Sequence, residues 1–275
     1  MNNKKSKKDI VAEIFNICKK KNNFIFDNDL IKKILKKYNS NTNPYDITKL
    51  DNTSKYPEIL LKEDYFIAHI GQGKHCFIKG LNKVFHEFEP IKEDEVIKWP
   101  YRPSILNDFS ISESSALSLC FNHRIIHDFL YQDIAANPKI YTSERKRGVS
   151  FNYFIGKNLK MNFENLQIEI DLTMENYGFV TIFEGKNTVD SINWIKNFNI
   201  FQLYNPYRYY HNLKLTNKLD IKKLTACYLL RLKTSNGSKV RLYNYVFEDP
   251  EDIKSIMLIQ KNEYVLEKRR IIHDY

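Results

Sequence analysis

Residues 169–187 read EIDLTMENYGFVTIFEGKN. Apolar and polar residues alternate on both sides of Tyr177–Gly178, the pattern of a β-hairpin closed by a two-residue turn. With that turn Asn176 faces Phe179, and the ladder sets Asp171 opposite Glu184 and Glu169 opposite Lys186. Side chains on a strand alternate between faces. One face then carries Ile168, Ile170, Leu172 and Met174 with Phe179, Thr181, Phe183 and Gly185, and is expected to be core. The other carries Glu169, Asp171, Thr173 and Glu175 with Val180, Ile182, Glu184 and Lys186. The apolar Val180 and Ile182 imply that this face is also partly covered.

Two carboxylates directly opposed on a covered face repel and destabilise the sheet. A divalent cation removes the conflict. Asp171 and Glu184 are hard oxygen donors suited to Mg²⁺, which takes one or two protein carboxylates and keeps waters or a phosphate for the rest. Lys186, on the same face, is placed to orient a water or to neutralise charge on a phosphate. These are the parts of metal-assisted phosphodiester hydrolysis. The plainer reading is a solvated hairpin face with Glu169 and Lys186 as an ordinary ion pair, which contributes little. A β-bulge would shift the register and put Glu169 in the place of Asp171.

Around the hairpin the chain alternates helix and strand signals. Ser112 can cap a long helix over roughly 113–134, and KIYTSERKR at 139–147 reads as a strand. After the hairpin, WIKNFNIFQLYNPYRYYHNL reads as an aromatic-rich helix that Pro206 should kink or restart. TACYLLRLKTSNGSKVRLYNYVFE is a second hairpin around Asn236–Gly237, and SIMLIQKNEYVLEK adds a strand or hairpin. The expected class is α+β or α/β, with a mixed sheet flanked by helices.

The N-terminal part differs. DIVAEIFNICKKK and FDNDLIKKILKKY have helical apolar spacing, the second with Asp27 or Asn28 as its cap. A short helix around YDITKLD follows, then DYFIAHI, a GQGK turn and HCFIKGL as a hairpin. Three helices and a hairpin is the order of a winged helix, and of other small α+β units. The expected organisation is 1–90 as a helical and hairpin region for DNA recognition, 91–111 as a connection containing Pro100 and Pro103, and 112–275 as the core.

Composition narrows the function. The 275 residues hold 43 Lys and Arg against 33 Asp and Glu, a net charge of +10 that suits a polyanion such as nucleic acid. An A/T-biased genome also inflates lysine, so the charge alone is a weak signal. No apolar run is long enough to cross a bilayer and no signal peptide is seen, so a cytoplasmic protein is expected. Cys18, Cys76, Cys120 and Cys227 form no CxxC pair, which argues against disulfides and a cysteine-ligated zinc. GQGK lacks the rest of a P-loop, and His123 and His127 lack the glutamate of a zincin.

IEID, twelve residues and EGK on a hairpin, followed by a helix bearing FNIFQLYNPYRYY, resembles the PD-(D/E)xK nucleases and, more narrowly, their type II restriction endonucleases. The resemblance covers about residues 112–235. It implies a restriction-endonuclease-like core, Mg²⁺ bound by Asp171 and Glu184, and Lys186 as the catalytic lysine. Here Ile170 stands where the family motif has proline, and Gly185 is the middle residue of ExK. The resemblance further implies that Gln202 orders the site, that Arg208 touches phosphate, and that Glu113 completes the metal shell. Each has a plainer reading, as part of a packed helix or as a helix N-terminal acid. Arg145, Lys146 and Arg147 are candidate contacts to the DNA backbone. The implied partners are double-stranded DNA, a second copy in a homodimer, and a cognate DNA methyltransferase. The rival functions are another PD-(D/E)xK nuclease of repair or recombination, and a non-catalytic winged-helix DNA-binding regulator.

Overall fold

Backbone alternation, turns and caps account for most of the elements in the computed structural model, which describes residues 5–101, 104, 106, 112–189, 195–234 and 237–267. In the N-terminal part, α1 (Lys7–Lys20) starts at a capping box. Ser6 Oγ accepts from Asp9 N, and Ser6 N donates to the Asp9 carboxylate. Its Ile10, Val11, Ile14, Phe15 and Cys18 are buried on one face. After β1 (Ile25–Asp27), Asp27 caps α2 (Asn28–Lys37), accepting from the amides of Asp29 and Leu30. The short α3 (Pro44–Thr48) and α4 (Glu58–Glu63) lead into a hairpin of β2 (Tyr65–Gly71) and β3 (Lys74–Lys79). β1 adds to the outer edge of β3, giving the order β1–β3–β2.

Next come β4 (Phe85–Glu87) and β5 (Val96–Trp99). β5 pairs in parallel with the last strand, so the segment expected to be only a connection contributes a strand to the sheet. Parallel pairing between distant segments leaves no local signal. Pro103 and Asn236 lie outside the described residues.

The expected long helix is two helices, α5 (Glu113–Asn122) and α6 (Ile125–Tyr131). Arg124 stands between them with a φ of 62°, a left-handed conformation that ends the first helix. The carbonyl of His123 at this break accepts from Trp99 Nε1 at 2.8 Å, a tertiary bond outside the helix pattern.

β6 (Lys139–Phe154), β7 (Lys160–Asn176) and β8 (Phe179–Val189) form an antiparallel meander. β9 (Asn197–Asn199) pairs with β4 and occupies the start of the expected aromatic helix, which begins later as α7 (Phe201–Leu215). α7 continues through Pro206 without a break. The proline falls in the second turn, where the one bond it cannot make is to the carbonyl of Gln202. α7 crosses over to β10 (Lys223–Thr234), which lies parallel to β8. β11 (Gly237–Phe247) and β12 (Ile256–Glu267) finish the sheet in antiparallel order.

The class is thus a large mixed sheet flanked by helices. α5 and α6 cover one face, where Leu117, Cys120 and Phe129 pack with Leu172, Met174, Phe183 and Leu229. α7 covers the other, with Leu203, Tyr204 and Tyr207 against Val180, Ile182 and Tyr228. The same core continues into Phe15, Phe66 and Phe77 of the N-terminal part. Among the described residues no helix is long and apolar enough to cross a membrane.

Candidate active site

The β7–β8 ladder follows the register read from the turn, from Asn176↔Phe179 to Leu172↔Phe183, and stops there. β6 occupies the other edge of β7, and on the edge that faced β8 the next partner is β2, which pairs in parallel at Gly71↔Glu164. Asp171 is the first residue past the end of the ladder. Its Oδ2 accepts from the amide of Gly185 at 2.9 Å, a side-chain bond in place of a ladder bond. Glu184 lies beside it on β8 and is 8% exposed. Asp171 and Glu184 are therefore neighbours across a fork between strands, not a ladder pair.

Lys186 Nζ donates to Glu184 Oε1 at 2.8 Å and to Glu113 Oε1. Gln202 Nε2, in the first turn of α7, donates to the same Glu184 oxygen at 2.6 Å. Tyr228, which sits next to Glu184 in the parallel β8–β10 register, donates to Gln202 Oε1 at 3.3 Å. Among the described residues no hydrogen bond reaches Glu184 Oε2 or Asp171 Oδ1. Each carboxylate thus keeps one oxygen for another ligand.

Gly185 explains how α5 reaches the site. A Cβ on this residue would lie 3.3 Å from Leu117 Cγ and Cδ1 and 3.5 Å from the carbonyl of Glu113. The missing side chain lets the helix sit directly on β8. Asn187 Nδ2 donates to the carbonyl of Ser112 at 3.1 Å, which secures the start of α5 and with it Glu113. The N-terminal part also arrives here. Asp51 is buried, bonds Lys55 at 2.5 Å, and accepts at its carbonyl from Asn199 N. Lys49 Nζ is 3.8 Å from Glu169.

The electrostatics reflect three carboxylates around one ammonium. Burial, reinforced by Asp171 and opposed by Lys186, pushes the Glu184 carboxyl up to about 8. Burial also raises Asp171, against the Gly185 amide and Lys186. Burial pulls the Lys186 ammonium down, but Glu184, Tyr228 and Glu113 outweigh it and hold the pKa above its ordinary value. Among the described residues no three His, Cys, Asp or Glu side chains form a metal cage. Mg²⁺ asks for less, one or two carboxylates with waters and phosphate, and the donor pair Asp171 and Glu184 with its two unused oxygens fits that demand.

Residues 80–265 match the model of a family described as Domain of unknown function (DUF6997). The chain belongs to the DUF6997 family. Its family segment holds every side chain of the fork: Glu113, Asp171, Glu184, Lys186, Gln202 and Tyr228. Residues 7–77 match a second model, Domain of unknown function (DUF6996), and carry Lys49 and Asp51. No curated protein and no solved structure matches the chain.

Other residues singled out in the sequence lie elsewhere. Glu169 is not opposite Lys186. It pairs with Arg145 in the β6–β7 register, and the two form an ion pair at 3.3 Å. The ladder shows no bulge at Glu169 that would bring it into the place of Asp171. Lys146 is paired with Glu144 at 2.9 Å, and Arg147 is exposed on β6. Arg208 is buried away from the fork. It forms an ion pair with Glu251 and donates to the carbonyl of Pro250 at 3.2 Å, which ties α7 to the turn after β11. Tyr228, Asn187, Lys49 and Asp51 were not legible as site residues, because parallel register and contacts across more than a hundred residues leave no local pattern.

Two expectations follow from these contacts. Gly185→Val forces α5 off β8 and lowers stability by about 1–3 kcal/mol, the usual cost of overpacking. Urea unfolding measures it, and Leu117→Ala in the same chain should recover part of the loss. Arg208→Ala removes an anchor and lowers stability by roughly 1–3 kcal/mol, discounted because Glu251 is half exposed. A phosphate contact would instead lower the slope of DNA affinity against salt by about one. That slope should be unchanged.

Proposed function

We propose that the protein is a Mg²⁺-dependent endonuclease that hydrolyses phosphodiester bonds of double-stranded DNA, with a PD-(D/E)xK site of the type II restriction class. The single observation behind the reading is the fork. Two carboxylates with one unused oxygen each stand beside a buried lysine, at the point where two strands part. The order of two helices, three antiparallel strands, the short β9, a crossover helix and a parallel strand, from α5 to β10, is compatible with a restriction-endonuclease-like core. The net charge of +10 suits the polyanion.

In this reading Asp171 and Glu184 hold the ion. When bound, Mg²⁺ polarises a phosphate oxygen and lowers the pKa of a water. Gln202 and Lys186 both bond Glu184 Oε1, which fixes the carboxylate and would leave Oε2 to hold the cation. Lys186 keeps its proton and neutralises charge as it develops on the phosphate. Glu113 holds Lys186 from the α5 side. The N-terminal part would supply recognition. Its helices, and a hairpin extended by β1, follow a winged-helix-like order. A homodimer on palindromic DNA and a cognate methyltransferase belong to the same proposal.

The test is a digest of unmethylated, phage-sized linear DNA by the purified protein, with Mg²⁺ and with EDTA. Discrete bands with Mg²⁺ alone support a site-specific nuclease. A smear, or a preference for branched DNA, moves the assignment to a nonspecific or repair-type nuclease. Salt-sensitive, site-selective binding without cutting on a full set of sites overturns it in favour of a DNA-binding regulator.

A further inference from the structure

A cleft of ≈ 540 Å³ opens on the same sheet face as the fork, toward the tip of the β7–β8 hairpin. Cavities of several hundred cubic ångströms take small organic ligands. Thr173, in its floor, is the next residue after Asp171 on that face, about 7 Å along the strand. Val180 lies on the corresponding face of β8, two side chains before Glu184. α7 runs beside both places. Gln202 reaches the fork, and Tyr209 and Tyr210 line the cleft about 11 Å further along the helix. The fork and the cleft therefore lie at two places along the contact between the hairpin and α7, on the same face of the sheet.

The lining carries four tyrosines among polar residues that include Glu144, Glu175 and Asp220 as well as Lys146 and Lys222, and two of the tyrosines are held in place. The Tyr209 and Tyr210 rings stand 5.5 Å apart at 85°, so they offer two nearly perpendicular faces. Tyr210 Oη bonds both Thr173 Oγ1 and Glu144 Oε2 at 3.3 Å. Lys146 Nζ lies 5.6 Å from the centre of the Tyr209 ring. Tyr141 and Tyr177 also line the cleft and are 50% and 84% exposed.

Tyr177 is the telling residue. It is the first central residue of the two-residue turn, with a φ of 52°, followed by Gly178 at 85°. This turn favours Asn, Asp or Gly at that position. A tyrosine there strains the backbone and buries almost nothing, so neither turn propensity nor packing accounts for it. Its position at the mouth of the cleft does.

We propose that the cleft receives an unstacked nucleobase, held against tyrosine faces, while the strand that carries it passes the Asp171–Glu184 fork. Stacking on aromatic side chains serves every base, because each has a π-face. The source of the base as a DNA strand rests on the nuclease reading; the stacking chemistry does not. A free nucleotide would present the same chemistry.

The test uses the full chain in EDTA, which prevents cutting. The probes are 2-aminopurine nucleoside monophosphate, a single-stranded oligonucleotide with one 2-aminopurine, and inorganic phosphate as the control. Fluorescence quenching on titration reports stacking. Tyr177→Ala and Tyr209→Ala should each weaken the binding that quenches by roughly 5- to 150-fold. Tyr177 is exposed, so its variant keeps the fold, and a thermal melt checks both. Quenching by the oligonucleotide alone identifies the strand as the source, and equal quenching by the mononucleotide identifies a free nucleotide. No quenching, or quenching unchanged in both variants, overturns the cleft. If tyrosine-dependent quenching persists but the protein never cuts with Mg²⁺, the nuclease reading fails and the cleft stands. If it cuts and the tyrosines do not matter, the reverse holds.

Discussion

Glu184→Ala and Lys186→Ala should each lower Mg²⁺-dependent DNA cleavage by on the order of 10²- to 10⁴-fold, while DNA binding in EDTA is retained. The two variants fail for different reasons. Glu184→Ala removes one of two carboxylates with an oxygen left for the cation, so raising the Mg²⁺ concentration should recover part of the activity. Lys186→Ala leaves both carboxylates and removes the one ammonium among them, so more Mg²⁺ should not rescue it. Gln202→Ala should fall between wild type and these variants, because Glu184 is still present but no longer held by α7. Cleavage rates under single-turnover conditions at several Mg²⁺ concentrations separate the cases. Wild-type rates in both Glu184→Ala and Lys186→Ala would remove the fork from the mechanism.

The same glutamate should cost stability at alkaline pH when no metal is bound. Its folded pKa of about 8 is above the ordinary 4.5, so the folded state holds an extra proton between these values. That contribution is full below about 4.5 and is lost as pH rises through about 8.

The second large effect belongs to the N-terminal part. The contribution of His75 to stability should be lost as pH drops below 6.5, because it is buried as a neutral ring, while down to 4.5 Glu184 contributes with the opposite slope. His75 is 0% exposed, bonded through Nε2 to Asn28 Oδ1 at 2.9 Å and facing His69 Nδ1 at 3.1 Å. Asn28 Oδ1 accepts from His75 Nε2, and the Nδ1 atoms of His75 and His69 face each other. Burial, with His69 adding to it, brings the pKa down to about 3 from 6.5.

The sign follows from proton counting. Below 6.5 the unfolded chain binds a proton that the folded chain refuses, so the contribution is present above 6.5 and is lost as pH falls toward 3. At about 1.4 kcal/mol per pH unit the full loss approaches 5 kcal/mol. Urea unfolding of wild type and His75→Phe at pH 7.5, 5.5 and 4.5 isolates the term as a difference, in which the opposite slope of Glu184 cancels. His75→Phe, set beside Phe26, should gain stability relative to wild type as pH falls; an equal slope in both proteins would remove His75 from the acid response.

Much of the local structure was legible in the residues. Ser6 and Asp27 start helices because a short side-chain oxygen reaches the free amides of the first turn. Tyr177–Gly178 set the hairpin register, and the ladder kept it as far as Leu172↔Phe183. Period-two alternation on the hairpin placed Asp171, Glu184 and Lys186 on one side. Other features were hidden. Glycine in the middle of ExK looked like a missing core side chain until α5 was seen resting on it. Arg208 read as a phosphate contact, but the helix turns it toward Glu251.

By itself, then, the sequence determined what neighbours within a few residues decide: caps, turn, register, alternation, and the acidic and basic side chains gathered near Asp171. Only the tertiary structure decided where the ladder ends, and so whether Asp171 or Glu169 stands beside Glu184. It also brought Gln202 to Glu184, Tyr228 to Gln202 and Glu113 to Lys186. The physical reason is that strand divergence, parallel register and helix docking are set by packing between segments far apart in the chain, and no local period records which of them will meet.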